Sequence, residues 1–268
     1  MTYPYRWLAE NYDALFEPMR DPLHAARRDV LGPILPNVES ACDLACGTGT
    51  TALELARQGI RMFAVDLSAR MCRIAREKAR RAGMPLRVIQ ADMRNFRLPR
   101  PVDLITCEFD AINHVPRRAD LRRVAQSAAR ALTPGGWFFF DVNNAAGFKR
   151  YWSGNFWIEK PGVVVVMRNG HSPAGDKAWS DIESFVRGGK HWQRHHERVQ
   201  EVCWKAGEIR TALRAAGFDR MHSWDAAPYF EPGSITRRGC RTIWLARKSR
   251  ATKRFPGLKS KSHFPHLT

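Results

Sequence analysis

Between residues 41 and 142, short apolar runs alternate with segments of helical spacing, and this rhythm limits the possible folds more than any other feature of the chain. Runs 41–45, 61–66, 86–91, 102–108 and 136–142 suit buried parallel strands. Segments 51–58, 69–82 and 119–131 between them have helical periodicity. Leu121, Val124, Ala128 and Leu132 form one stripe, which Pro134-Gly135-Gly136 brings to a stop. Strand, helix, strand, repeated, implies a parallel sheet with helices on both faces. The stretch up to Leu35 reads as helical, broken by Pro18, Pro22 and Pro33.

After residue 142 the pattern changes. Residues 163–168, 179–186 and 192–202 look like antiparallel strands, with a hairpin at Gly188-Gly189. Trp152, Trp157, Trp179 and Trp192 are expected to form the small core of this insertion. Helical spacing returns at 206–216 and ends at Gly217, and 242–246 reads as a final strand.

The most informative segment, Asp43-Leu-Ala-Cys-Gly47-Thr-Gly49-Thr, falls where the first strand meets the first helix. Ligands of open α/β sheets bind at this edge. Gly47, Gly49 and Ala52 satisfy a dinucleotide pattern, so a nicotinamide enzyme is one reading. Three acids argue for another. Asp43 precedes the glycines, where its charge opposes a pyrophosphate but not a cation. Asp66 closes the second strand and suits ribose hydroxyls. Asp92 closes the third, where its carboxylate can take an adenine amine while Met93 packs on the ring. Adenine, ribose and a positive centre describe S-adenosylmethionine.

The segment resembles motif I of the class I S-adenosylmethionine-dependent methyltransferases. Asp66, Asp92-Met93 and Leu132-Thr-Pro-Gly-Gly136 match later landmarks of that family in order. The chain departs from the pattern at Ala45, where many members have glycine. The resemblance implies a Rossmann-like, mostly parallel, seven-stranded α/β sheet with helices on both faces and an antiparallel β insertion. It places Ala45, Cys46, Gly47 and Gly49 against the methionine part of S-adenosylmethionine, whose product is S-adenosylhomocysteine. Asp43 orients the loop or meets the amino group. Asp66, Leu67 and Met71 take the ribose end, Asp92 and Met93 the adenine, and Glu108 and Phe109 line the methyl-transfer pocket.

Glu108-Phe-Asp-Ala-Ile-Asn-His114 lacks the Asn/Asp-Pro-Pro-Tyr/Phe signature of amino-methylating nucleic-acid enzymes and the Pro-Cys pair of cytosine C5 enzymes. It resembles instead the small-molecule branch that methylates sugar amines and other amines. That likeness makes Tyr12 a lid over the cofactor and His114 a candidate general base, with a small-molecule methyl acceptor. No metal is expected. His191, His195 and His196 sit on a strand, where 191 and 195 lie about 13 Å apart.

Composition adds exclusions. No apolar run is long enough for a membrane-spanning helix. Six cysteines are scattered without a CxxC pair, and the N-terminus has no signal pattern, which together suggest a reduced, cytoplasmic enzyme. The formal charge is +18, and ten basic residues follow Glu231, beyond which there is no acid. An RNA or protein methyltransferase that tracks phosphates with this tail is the alternative function, and a non-catalytic cofactor-binding protein a weaker one. Arginines on 69–82 read as a solvated face. The expected division is a helical lid at 1–35, a core at 36–149 and 204–248, an acceptor-side insertion at 150–203, and a basic, disordered tail at 249–268.

Overall fold

The computed structural model describes residues 7–16, 20–230 and 239–250. In chain order, α1 (Tyr12–Phe16) and α2 (Arg20–Leu31) precede β1 (Ser40–Leu44), α3 (Thr50–Arg57), β2 (Arg61–Asp66), α4 (Ala69–Arg81) and β3 (Leu86–Gln90). Then come β4 (Val102–Cys107), α5 (Arg118–Ala131), β5 (Leu132–Asn143) and α6 (Ala145–Tyr151). Strands β6 (Gly154–Lys160), β7 (Val163–His171), β8 (Lys177–Gly188) and β9 (His191–Val202) follow, then α7 (Ala206–Ala216), β10 (Phe218–Asp225), α8 (Ala227–Phe230) and β11 (Arg241–Lys248).

The main sheet has seven strands in the order β10-β11-β5-β4-β1-β2-β3. Strands β1 to β5 are mutually parallel, while β11 runs antiparallel to both β5 and β10. The chain steps outward from β1 through β2 to β3, then returns to β4 on the other side of β1. This reversal opens a crevice at the carboxyl ends of the strands, the place where ligands bind such sheets.

Alternation along β5 builds a core on each face. Phe138 and Phe140 pack with Val124, Ala128 and Leu213 on one side. Phe139 packs with Leu31, Leu55 and Leu104 on the other. Strand β5 begins at Leu132, directly after α5, because Leu132 already pairs with Val102 and the Gly135 turn is absorbed as a register shift.

The insertion forms a separate antiparallel sheet, β6-β7-β8-β9. Its apolar face, with Val163, Val165, Ile182 and Val199, packs on Leu8 and Leu15 of the N-terminal segment. Gly188 pairs with His191 across a two-residue turn in which Gly189 has a φ of 63°.

Several expectations need correction. Pro22 does not break a helix: it lies in the first turn of α2, where a missing N–H costs no intrahelical bond. Strands β6 and β10 were not expected, because neither carries a clean apolar alternation. Trp157 and Trp192 are exposed, by 67% and 51%, and belong to no core. They stand on the two edge strands, on the face turned away from the N-terminal segment. Pro18 and the tail from residue 251 lie outside the described residues. Among the described residues, no helix is long and apolar enough to cross a membrane.

Candidate active site

The loop after β1 turns on three residues in the left-handed region, Ala45 (φ 57°), Gly47 (φ 52°) and Gly49 (φ 80°). The two glycines do different work. A Cβ on Gly47 would meet nothing within 4 Å, so this side of the loop is open to a ligand. A Cβ on Gly49 would lie 2.9 Å from the Ala75 Cβ, so Gly49 lets the loop pack against α4. Ala45 adopts the same region at a cost of roughly 1 kcal/mol for an L-residue.

Asp66 fixes this loop from the next strand. One carboxylate oxygen accepts the Gly47 N–H at 2.9 Å and the other accepts the Ser68 N–H at 2.8 Å. Burial raises its pKa, and these backbone donors offset part of the rise. At the end of β3, Asp92 receives the Arg94 backbone N–H at 2.8 Å and the Arg94 guanidinium on both oxygens. Burial works to raise the Asp92 pKa, but Arg94 more than outweighs it and holds the group below its ordinary value. Sequence reasoning missed Arg94, since an arginine two residues after an acid has no fixed direction until the backbone turns.

A buried charge network lies behind the loop. Arg27 from α2 donates to both oxygens of Glu108, at 2.8 and 2.9 Å, to Thr51 at 3.1 Å, and to Glu54. Burial pushes Glu108 up to about 7 although Arg27 lowers it. Asp43 accepts from Thr106 at 2.9 Å and is itself pushed up to about 8, by burial and then by the Glu108 charge.

Two residues beyond β4, the chain has two further left-handed residues, Phe109 (φ 58°) and Asp110 (φ 48°). Backbone strain of this kind persists only where neighbours hold it. Here the Asp110 N–H donates to Asp141 at 3.0 Å, and Arg241 of β11 bridges the Asp110 and Asp141 carboxylates. The short turn Ala111–His114 is clamped to the end of β9: Asn113 donates to the Val202 carbonyl at 2.9 Å, and Trp204 to the Ile112 carbonyl at 3.2 Å. The His114 ring bonds the Gln200 backbone and turns Nε2 toward Glu201, 3.8 Å away. Burial lowers its pKa, so the ring is neutral at neutral pH.

The N-terminal segment closes the site through charge. Asp13 receives Lys78 of α4 at 2.6 Å, Thr48 of the loop at 2.5 Å, and Arg20. Glu10 holds Arg70 and Arg73 of α4. The arginine face of α4, expected to be solvated, is therefore partly the seat of this segment. Burial also raises the Tyr12 pKa, leaving a neutral phenol at physiological pH.

These elements enclose a cavity of about 730 Å³. It brings together Tyr12, Ala45, Gly47, Asp66, Leu67, Met71, Asp92, Met93, Glu108, Phe109 and His114. Asp43, Cys46 and Gly49 stand behind its wall. Arg94, Pro116, Arg117 and Gln200, all unanticipated, are among the other residues of the lining. The open face of Gly47, the anchored carboxylate of Asp66 and the Asp92-Met93 pair all face this one cavity, a lining that fits S-adenosylmethionine.

Comparison with known proteins agrees. A family model described as a methyltransferase domain matches residues 41–136. The chain is 26% identical over 242 residues to a dTDP-3-amino-3,6-dideoxy-alpha-D-glucopyranose N,N-dimethyltransferase of Streptomyces fradiae, covering 87% of this chain and 88% of that one. It is 30% identical over 145 residues to a ubiquinone biosynthesis O-methyltransferase of Paracidovorax citrulli, covering 52% and 58%. A crystal structure of an S-adenosylmethionine-dependent methyltransferase from Clostridium acetobutylicum superposes with a TM-score of 0.75 at 25% identity, covering 92% of this chain and all of the other. The matched core, the loop geometry and the carboxylates around it lead to one conclusion: the chain is an S-adenosylmethionine-dependent methyltransferase whose methyltransferase domain spans residues 41–136.

Proposed function

We propose that the enzyme methylates an amine nitrogen of a small, sugar-like metabolite. The observation that carries this reading is the excess of acid behind His114: Asp110, Glu201 and Asp141 cluster there outside the cavity lining, with Arg241 as the paired cation. A site of that sign attracts an ammonium group and offers little to a neutral hydroxyl. The likeness to the Streptomyces amino-sugar enzyme over most of both chains supports it.

When bound, S-adenosylmethionine supplies an activated methyl group that an acceptor nitrogen takes by in-line displacement from sulfur. The protein's part is to align the partners and exclude water. Asp66 and the Gly47 backbone hold the cofactor loop in register, and Asp92 with Met93 frames the adenine end. Tyr12 closes over the cavity as a neutral hydrogen-bond donor. An amine attacks only through its free electron pair, so an ammonium acceptor first gives up a proton, and neutral His114 is placed to take it. In this reading residues 1–35 are the lid, 36–149 and 204–248 the cofactor core, and 150–203 the acceptor side.

A transfer assay with methyl-labelled S-adenosylmethionine tests the proposal, using dTDP-3-amino-3,6-dideoxyglucose and its 3-hydroxy counterpart as probes. Label is expected on the amino sugar and not on the hydroxy sugar. Transfer to a phenolic hydroxyl with none to the amine would instead favour O-methylation, as in the ubiquinone-pathway relative.

A further inference from the structure

Glu201 is the last acidic residue of the insertion, and its side chain is fully buried. Neither of its carboxylate oxygens receives a hydrogen bond. Its neighbours are the Asp110 carboxylate and the Asn143 side chain. One oxygen of Asp110, one of Glu201 and a ring nitrogen of His114 all lie within 4.8 Å of one another. The groups facing this cluster are Asp141 of β5, Arg241 of β11, His114 of the turn after β4, and Tyr12 of α1. If every acid were ionised, three buried negative charges would face the single cation Arg241. Two carboxylates sharing one buried site do not both ionise. A proton on Glu201 removes the difficulty, because the resulting hydroxyl has the Asp110 carboxylate beside it as an acceptor.

We propose that Asp110 and Glu201 hold one proton between them behind His114, and that the single negative charge left over stabilises the imidazolium formed when His114 takes a proton from the acceptor. The second half rests on the amine reading above; the first half does not. Glu201 is thus a positioning residue, acting through Asp110 and His114 rather than on the acceptor. The balance is simple. The acceptor nitrogen keeps its electron pair and its proton passes to the imidazole. The cluster, one negative charge in excess with the proton on the pair, becomes neutral. Burial and the Asp110 charge both push Glu201 well above the ordinary glutamate range, while Arg241 holds Asp110 in the ionised form.

The test needs no acceptor. Infrared difference spectra of the full chain at pH 7, wild type minus Glu201→Gln, are recorded in H₂O and D₂O with S-adenosylhomocysteine bound, and divalent metal is measured in the same samples. The expected result is the carbonyl band of an un-ionised carboxylic acid, shifted in D₂O and lost in the variant, with no bound metal. A wild type showing only carboxylate absorption at this position overturns the proposal. So does an equimolar divalent metal that leaves on substitution, since the same three side chains would then be ligands. Should Glu201→Gln not retain S-adenosylhomocysteine, Glu201→Leu supplies the reference, because an apolar side chain suits a site that already holds a neutral one. Failure of the amino-sugar assay with the band present would reject the amine reading and leave the shared proton standing.

Discussion

Asp66 and Asp43 are both buried acids of the cofactor half, yet their surroundings give them opposite tasks. Asp66 spends its two oxygens on backbone N–H groups of the loop and of the α4 entrance, so it acts as a brace that also faces the cavity. Asp66→Ala leaves both donors unpaired and is expected to weaken S-adenosylhomocysteine binding roughly 10–100-fold, by the loss of charge-assisted hydrogen bonds; titration calorimetry checks it. Asp43 carries a proton up to about pH 8, whereas an unfolded aspartate releases its proton near pH 3.9. Its contribution to stability is therefore fully present below the unfolded value and is lost as pH rises through about 8. Asp43→Asn removes that dependence. Melting temperatures measured from pH 5 to pH 9 should fall more steeply with pH for the wild type than for the variant. Parallel curves would show that Asp43 is ionised throughout.

At the scale of elements, the site depends on segments distant in sequence that meet through charge. Helix α1 is only five residues long and too short to hold its own shape, so its position comes from Asp13 on Lys78, Thr48 and Arg20. Asp13→Asn is expected to cost about 1 kcal/mol of closure, roughly a fivefold loss in S-adenosylhomocysteine affinity. The loss should shrink as ionic strength rises, because these groups are partly exposed. An affinity unaffected by the substitution at low salt would show that the lid does not report to the cofactor. Helix α2 is tied inward by Arg27, and Arg27→Met strands Glu108 and Glu54. Removing one partner of a buried ion pair costs roughly 3–5 kcal/mol, which denaturant unfolding would read directly. These elements show why reading the chain had uneven success. Strand β2 and helix α7 lie where their patterns put them, since β2 alternates between the two cores and α7 turns one face to one of them. Strand β6 and the seat of residues 7–16 on α4 depend on partners far along the chain, and local pattern does not record a partner.

For the whole molecule, the +18 charge divides between a folded enzyme and a terminal segment. Removing residues 251–268 takes away Lys253, Arg254, Lys259 and Lys261 and leaves every described residue of the cavity lining in place. Truncation after Arg250 is expected to leave S-adenosylhomocysteine affinity unchanged. Any binding of single-stranded RNA should weaken and lose part of its dependence on salt concentration. A truncated chain that no longer binds the cofactor product would show that the tail belongs to the active site.

The sequence by itself determined the architecture and the cofactor. Alternating strand and helix periods leave little choice but a covered parallel sheet, and a parallel sheet gathers the loop after β1, Asp66, Asp92 and Glu108 at one edge. Only the tertiary structure decided which glycine opens onto the cavity and which faces α4, and that Asp43 stands behind the cavity wall. It also decided that Glu201, 87 residues after His114, comes to lie beside it. The physical reason is the range of the forces involved. Periodicity is a local response to water and can be read along the chain, whereas the state of a buried charge is set by every group that folding brings within a few ångströms of it.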